Sequence, residues 1–140
     1  MAEVDFVTAP ANVYTTRGTP HSWLDGYYDV ATQFGGDYDL ADESDTDSDG
    51  HKAWQEYIAG TDATNPDSVL RVNSAEAVGG DWVITWQSVA GKSYSIITNA
   101  SLASPNPGVE ASGITGQPNE TSYTGTVGGA TAVFYEVGVE

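Results

Sequence analysis

The sequence contains no cysteine, and this absence excludes disulfide bonds, thiolate metal sites and thiol nucleophiles. Basic residues are scarce as well, because only four Lys and Arg stand against 20 Asp and Glu, which gives a formal net charge of -16. A field of this sign repels phosphate backbones and anionic lipid surfaces, so we expect no nucleic-acid partner. No apolar run approaches the roughly 20 residues of a membrane helix, and no membrane insertion is expected.

Catalytic motifs are also missing. The chain has two histidines, His21 and His51, and it contains neither a G-x-S-x-G nor an H-E-x-x-H pattern. Catalysis needs a nucleophile or an acid/base group in a pocket, and no such constellation stands out, so we expect a protein that is not an enzyme. The first residues lack the basic and apolar segments of an export signal, so we expect any such signal to lie outside this chain.

The residues that are present change character near residue 68. Before it lie most of the acidic residues and short helical patterns, and after it come β-branched and aromatic alternation with Gly pairs. We divide the chain into an extended N-terminal segment or strand (1–17), a helical motif (18–68) and a β domain (69–140). Turn residues separate six strand candidates in the β domain, at 69–73, 81–87, 93–99, 109–114, 121–126 and 131–139. Six short strands at this spacing predict an antiparallel β-sandwich.

Two patterns predict buried faces. Strand 81–87 alternates, so that one face carries Trp82, Ile84 and Trp86. Residues 52–59 predict a helix of about two turns, ended by a Gly cap, with one apolar face at i, i+3 and i+4. That face consists of Trp54, Tyr57 and Ile58.

The segment 45–56 (DTDSDGHKAWQE) matches the EF-hand-type calcium loop, D-x-[DN]-x-[DN]-G-x5-E, at every specified position. Calcium is a hard cation that takes six to eight oxygen ligands, and Gly50 permits the sharp turn that its loop requires. The predicted ligands are the side chains of Asp45, Asp47, Asp49 and Glu56 and the backbone carbonyl of His51. The His51 side chain is expected to point away from the ion, and water is expected to replace the ligand that Ala53 lacks at position nine.

Several aspects of this loop stay open. Lys52 occupies the position that usually pairs with a second loop, so we expect a lone loop with an affinity on the order of 10⁻⁴ M. The alternative is a solvated acidic linker, but the Gly and Glu at their template positions favour an ion site. A second calcium site could draw on four more carboxylates, those of Asp37, Asp39, Asp42 and Asp62. For Asp62, a turn cap that accepts a hydrogen bond from Thr64 is the favoured alternative.

At these residues a resemblance becomes specific. The run TPHSWLD (19–25), followed by residues 45–72, resembles a calcium-binding segment found near the C-termini of large secreted proteins of planctomycete and verrucomicrobial bacteria. That segment is akin to thrombospondin type 3 and dockerin repeats, and it reads as an acidic D-x-D-x-D-G loop, an N-W-Q-E-Y helix and a G-T-D-P-T-N-P turn. Here Ala53 replaces the usual Asn, and Ala63 replaces the usual Pro.

The later part of the chain resembles the β-sandwich that accompanies such segments. Residues 83–102 and the closing FYEVGV (134–139) carry this similarity, which extends more loosely to immunoglobulin-like sandwiches of the fibronectin type III kind. The resemblance implies export, calcium as the cofactor and a non-catalytic accessory role.

Three functions are compatible with these patterns. The leading one is a structural or attachment module of a secreted or cell-surface protein, made rigid by calcium. The second is self-assembly into an extracellular filament or surface layer, since the apolar Val4, Phe6 and Val7 could add as a strand to a neighbour's sheet edge. The third is polysaccharide binding by aromatic stacking, for which the candidates are Trp23, Tyr27, Tyr28 and Tyr123.

Overall fold

The structure, a computed structural model, describes residues 13–99, 108–126 and 134–140. The chain divides into two compact units, and each has its own hydrophobic core. The first unit comprises the described residues up to Tyr57 and the segment Ala63–Pro66. The second comprises Ile58–Asp62 and the described residues from Asp67 to Glu140. No described helix is long and apolar enough to cross a bilayer.

The first unit is built from short helices joined by tight turns. The helices are α1 (His21–Leu24), α2 (Val30–Gln33), α3 (Tyr38–Asp42) and α4 (Ala53–Ala59), the last of which ends in the second unit. Aspartates cap two of them: the Asp29 side chain accepts a hydrogen bond from Thr32 N–H, and the Asp37 side chain accepts one from Leu40 N–H. The buried core comprises Leu24, Tyr28, Val30, Ala41, Ala53 and Ala63.

Helix α4 does not bury the face that its apolar residues predict. Ile58 is 48% exposed, and the predicted partners Trp54 and Tyr57 are only half-buried. The buried positions are instead Ala53, Glu56 and Ala59. The prediction that Trp54, Tyr57 and Ile58 form the buried face of α4 is therefore wrong. The small Ala53 packs into the core instead, and the Glu56 carboxylate is turned inward with it.

The second unit contains six strands in two antiparallel, three-stranded sheets. The strands are β1 (Val72–Val78), β2 (Asp81–Ser88), β3 (Ser93–Asn99), β4 (Gly108–Thr115), β5 (Asn119–Thr126) and β6 (Phe134–Val139). The first sheet has the order β1-β2-β5 and the second has the order β4-β3-β6. The prediction of a mainly β protein with antiparallel sheets is therefore confirmed.

One core joins the facing side chains of the two sheets. Trp82, Ile84 and Trp86 of β2 are each 8% exposed or less, which confirms the predicted buried face of this strand. Tyr94 and Ile96 of β3 belong to the same cluster from the other sheet. The rings of Trp86 and Tyr94 meet edge to face with their centroids 5.7 Å apart.

The observed position of the first strand differs from the predicted one. We predicted it at 69–73, but β1 covers Val72–Val78. Its sequence, VNSAEAV, contains Ala, Ser, Asn and Glu, which have low β propensity, so the pairing with β2 decides the strand rather than its own composition. The other predicted strands agree within two residues with those observed, except that residues 131–133 lie outside the described residues.

Candidate metal centre

The acidic loop between α3 and α4 curls around the carboxylate of Asp45. Asp45 Oδ1 accepts a hydrogen bond from Ser48 N–H at 2.8 Å, and Asp45 Oδ2 accepts one from Gly50 N–H at 3.1 Å. Gly50 has a φ of 98°, in the left-handed region that a residue without Cβ adopts at low cost. The Ala53 N–H closes the loop by donating to the Ser44 carbonyl at 2.9 Å. The loop therefore makes the sharp turn that the presence of Gly50 predicted.

Three aspartates converge inside this loop. One carboxylate oxygen from each of Asp45, Asp47 and Asp49 lies within 4.8 Å of the other two. Asp47 Oδ2 and Asp49 Oδ2 are buried and accept no hydrogen bond from the protein, and the Asp49 side chain is only 2% exposed. A buried carboxylate oxygen without a donor is costly unless a cation or a proton satisfies it. The donor set, which is entirely oxygen, suits a hard cation.

The negative charges of the three aspartates are not balanced by basic side chains. Burial raises the pKa of Asp47, and the negative charges of Asp49 and Asp45 raise it further. Within the described residues, no Lys or Arg forms an ion pair with these three aspartates. A divalent cation would convert this mutual repulsion into attraction.

The basic side chains nearest to the three aspartates form ion pairs with Glu43 instead. Lys52 Nζ lies 2.7 Å from Glu43 Oε2, and the Arg17 guanidinium pairs with the other Glu43 oxygen. These two partners, Lys52 first and then Arg17, lower the pKa of Glu43 below its ordinary value. Two of the four basic residues in the chain are thus occupied at the edge of the loop rather than inside it.

Glu56 lies on the first turn of α4 and is 1% exposed. Its carboxylate is outside the group of oxygens within 4.8 Å that the three aspartates form. Glu56 and Asp47 both act on the phenol of Tyr28, whose pKa is raised mainly by burial and further by these two negative charges. Glu56 is buried and acts on the same phenol as Asp47, as expected of the ligand at position twelve of the calcium loop. The role of Glu56 as a ligand stays a prediction.

Tyr28, a sequence candidate for sugar stacking, is instead a buried residue near the loop, and sequence reasoning missed this position. Its side chain is 4% exposed, and its hydroxyl donates to the Ala63 carbonyl at 3.2 Å. Nothing in the spacing of these residues predicts the contact, because Tyr28 lies 35 residues before Ala63.

His51 lies next to the aspartate cluster. Its backbone N–H donates to Asp49 Oδ1 at 2.7 Å. Its imidazole Nδ1 lies 3.5 Å from the same Asp49 oxygen, and the direction of the side chain relative to a bound ion stays a prediction. The role of the His51 carbonyl as a ligand stays a prediction.

Asp37, Asp39 and Asp42, which were considered for a second calcium site, accept hydrogen bonds within the protein. The partners are Leu40 N–H for Asp37, the Thr16 N–H and hydroxyl for Asp39, and the Thr15 hydroxyl for Asp42. In the part of the chain that the structure describes, no second group of three acidic or histidine ligands converges. These aspartates fasten the segment 15–16 and the start of α3, and their part in a second ion site stays a prediction.

The aromatic side chains proposed for polysaccharide stacking contact other protein rings. Trp23 packs on Tyr27 with centroids 4.7 Å apart and on Tyr57 with centroids 5.5 Å apart. In the second unit, the ring centroid of Tyr123 lies 5.6 Å from that of Trp82. These packing contacts leave less ring surface for a sugar than the sequence alone suggests.

A shallow surface pocket of about 420 Å³ lies beside α1 and α3. Its lining includes His21, whose imidazole stacks flat on Tyr38 with centroids 3.8 Å apart, together with Asp37 and Asp39. Both aspartates accept hydrogen bonds from backbone N–H groups, and the lining contains no Ser, Cys or Lys. Among the described residues, the acidic loop is therefore a better candidate for a functional site than this pocket.

No protein-family model, no curated protein and no solved structure matches this chain.

Proposed function

We propose that the loop 45–56 binds one calcium ion and that the chain is a non-catalytic, calcium-stabilised structural or attachment module of a secreted or cell-surface protein. The observation that carries this proposal is the convergence of three aspartates whose buried Asp47 and Asp49 oxygens accept no hydrogen bond from the protein. The buried Glu56 supplies a fourth carboxylate from α4.

Calcium fits this loop better than other common divalent ions. Zinc prefers Cys and His ligands, and the chain has no cysteine and only two histidines. Magnesium demands a near-ideal octahedron and keeps several of its waters, whereas calcium accepts six to eight oxygens in an irregular arrangement. The alternation of carboxylates with backbone groups along the loop supplies such an irregular oxygen shell.

Ion binding would act through folding. The free energy of binding adds to the stability of the folded state, because the unfolded chain does not hold the ligands together. An isolated loop of this kind binds with a dissociation constant on the order of 10⁻⁴ M, which suits the calcium-rich medium outside a cell. The fold would thus be most stable after export, and its β unit would be a sandwich of the immunoglobulin or fibronectin type III kind.

Isothermal titration calorimetry of the chelator-treated chain tests the proposal. We expect one saturable calcium site, weaker binding of magnesium, and no saturable binding by the variant Asp47→Ala with Glu56→Ala. The matched control is Glu76→Gln with Glu136→Gln, which removes the same charge from exposed strand positions and should leave the site intact. Absence of saturable binding by the unaltered chain, or equal weakening by the control pair, would refute the calcium site.

A second candidate function, self-assembly by strand addition, is favoured by an observation on β1. Ala75 and Ala77 pair with the buried Ile84 and Trp82 and so share their face of the sheet, yet both alanines are exposed. The core-facing side of β1 is therefore accessible at the edge of its sheet. A strand from a second copy could cover it; the predicted donor residues, Val4, Phe6 and Val7, lie outside the described residues.

Electron microscopy and light scattering decide whether this edge is used. We expect filaments or oligomers of the unaltered chain, and we expect Ala75→Arg to disperse them because it places a charge on the exposed core-facing side. Ser122→Arg, on an exposed position of β5, is the matched control and should assemble normally. Monodisperse monomers of the unaltered chain, with and without calcium, would exclude self-assembly.

A further inference from the structure

The surface pocket beside α1 and α3 combines aromatic rings with carboxylates. Its volume of about 420 Å³ lies within the usual range for small-molecule sites. Tyr14 lines the pocket and is 53% exposed, so a large part of its ring is accessible. The lining also includes His21 and Tyr38, whose rings stack flat with centroids 3.8 Å apart. The pocket therefore has an aromatic wall with open ring surface.

Contacts within the protein fix this aromatic wall. Tyr14 forms a β-bridge with Pro20, which ties its backbone to the residue that precedes α1. Tyr38 is held twice, by the stack on His21 and by the hydrogen bond that its hydroxyl donates to Asp25 Oδ1 at 2.9 Å. A site whose side chains are already in place loses less conformational entropy when a ligand binds.

Asp37 and Asp39 supply the polar wall of the pocket. Asp37 Oδ1 accepts one hydrogen bond, from Leu40 N–H at 3.0 Å. The Asp39 oxygens accept two, from the Thr16 N–H at 2.7 Å and from its hydroxyl at 3.0 Å. An ionised carboxylate has about four acceptor positions, and both side chains are exposed. Each can therefore accept further hydrogen bonds from the hydroxyl groups of a ligand.

This combination of groups suits an uncharged ring that carries several hydroxyl groups. The C–H face of a sugar ring stacks on an aromatic side chain, and its hydroxyl groups donate to carboxylates. An anionic ligand is disfavoured, because the described residues that line the pocket include no Lys or Arg and the chain has a net charge of -16. A lone ammonium group would also suit the carboxylates, but it would fill only a small part of the pocket.

We propose that this pocket binds a neutral sugar ring of a polysaccharide, with Tyr14 as the stacking surface and Asp37 and Asp39 as hydroxyl acceptors. The inference goes beyond the proposed calcium site and does not depend on it, because no residue of the loop 45–56 lines the pocket. It gives the attachment role a class of ligand. The rings that the sequence suggested for sugar stacking lie outside the pocket; they are Trp23, Tyr27, Tyr28 and Tyr123.

Affinity electrophoresis of the full chain, in calcium-containing gels with a soluble polysaccharide, tests the inference. The neutral polymers are a β-glucan, an α-glucan, a xylan and a mannan; dextran sulfate is the anionic polymer and chitosan the cationic one. We expect at least one neutral polymer to retard the protein, and we expect dextran sulfate to have no effect.

Calorimetry with the retarding polymer then compares variants of the pocket. We expect Tyr14→Ala to weaken binding about tenfold, because it removes the stacking ring. Asp37→Asn should weaken binding as well, and it keeps the start of α3 intact because Asn caps a helix as well as Asp does. The matched control is Phe134→Ala, which removes a ring that is 41% exposed from β6 and should bind normally.

Weaker binding by the two pocket variants, with normal binding by Phe134→Ala and unchanged circular dichroism, would support the inference. Retardation by no neutral polymer would overturn it. Retardation by chitosan alone would overturn it too, because a net charge of -16 attracts a polycation without a specific site. Normal affinity in both Tyr14→Ala and Asp37→Asn would show that the sugar binds elsewhere and would equally overturn the inference.

Discussion

Glu56→Gln is expected to abolish the stabilisation that calcium gives to the first unit. At a calcium concentration 100 times the dissociation constant, a single site contributes about 2.7 kcal/mol, provided that the ion binds only the folded state. For a unit of this size, that corresponds to a rise in melting temperature of roughly 10 °C or more. The amide keeps the size of the buried side chain but removes the charge that attracts the ion. Thermal unfolding in chelator and across a calcium titration measures the effect.

Glu43→Gln is the control, because the Glu43 carboxylate pairs with Lys52 and Arg17 and lies outside the group of converging aspartate oxygens. A full calcium response in Glu56→Gln would show that this carboxylate does not hold the ion.

The pH dependence of the cluster follows from Asp47. Its pKa is raised in the ion-free folded state, so the folded chain binds a proton more readily than the unfolded chain does. Stability from this group is therefore present below the ordinary Asp pKa and is lost as the pH rises through the raised value. With calcium bound, stability should instead increase as the pH rises through this range, because the ion binds the ionised Asp47 carboxylate.

Local sequence patterns predicted the parts of the structure that local chemistry determines. Alternation in 81–87 identified the buried face of β2, since side chains of a strand point to opposite sides in turn. The spacing of Asp45, Asp47 and Asp49 around Gly50 likewise predicted convergence, because a loop that turns sharply brings alternate residues together. These features need no knowledge of the rest of the chain.

Features that depend on contacts distant in sequence could not be predicted in this way. Strand β1 forms by pairing across a hairpin, so its weakly β-forming residues gave no signal of their own. The buried face of α4 follows the position of the acidic loop and the core, not the hydrophobicity of Trp54 and Ile58. The bridge from Tyr28 to Ala63 spans 35 residues and involves a backbone carbonyl, which any residue could have offered.

Trp86→Ala is expected to cost the second unit about 3–5 kcal/mol of unfolding free energy. Trp86 is fully buried at the centre of the core that the two sheets share, and it contacts the ring of Tyr94 edge to face. Removing the indole leaves a cavity that both sheets border and that neither can fill without breaking its ladder. Urea unfolding followed by circular dichroism measures the loss.

Trp86→Phe separates the packing of this ring from its polar atom. The Trp86 Nε1 is buried and has no hydrogen-bond partner, so the indole brings an unsatisfied N–H into the core. Phe keeps much of the ring volume and removes that N–H, and we therefore expect its cost to be well below that of Ala. Ile84→Val, in the same core, should cost about 0.5–1.5 kcal/mol and serves as the calibrating small change. If Trp86→Ala costs no more than Ile84→Val, the two sheets do not share the core described for them. Calcium affinity should stay unchanged in all three variants, because the loop ligands belong to the first unit.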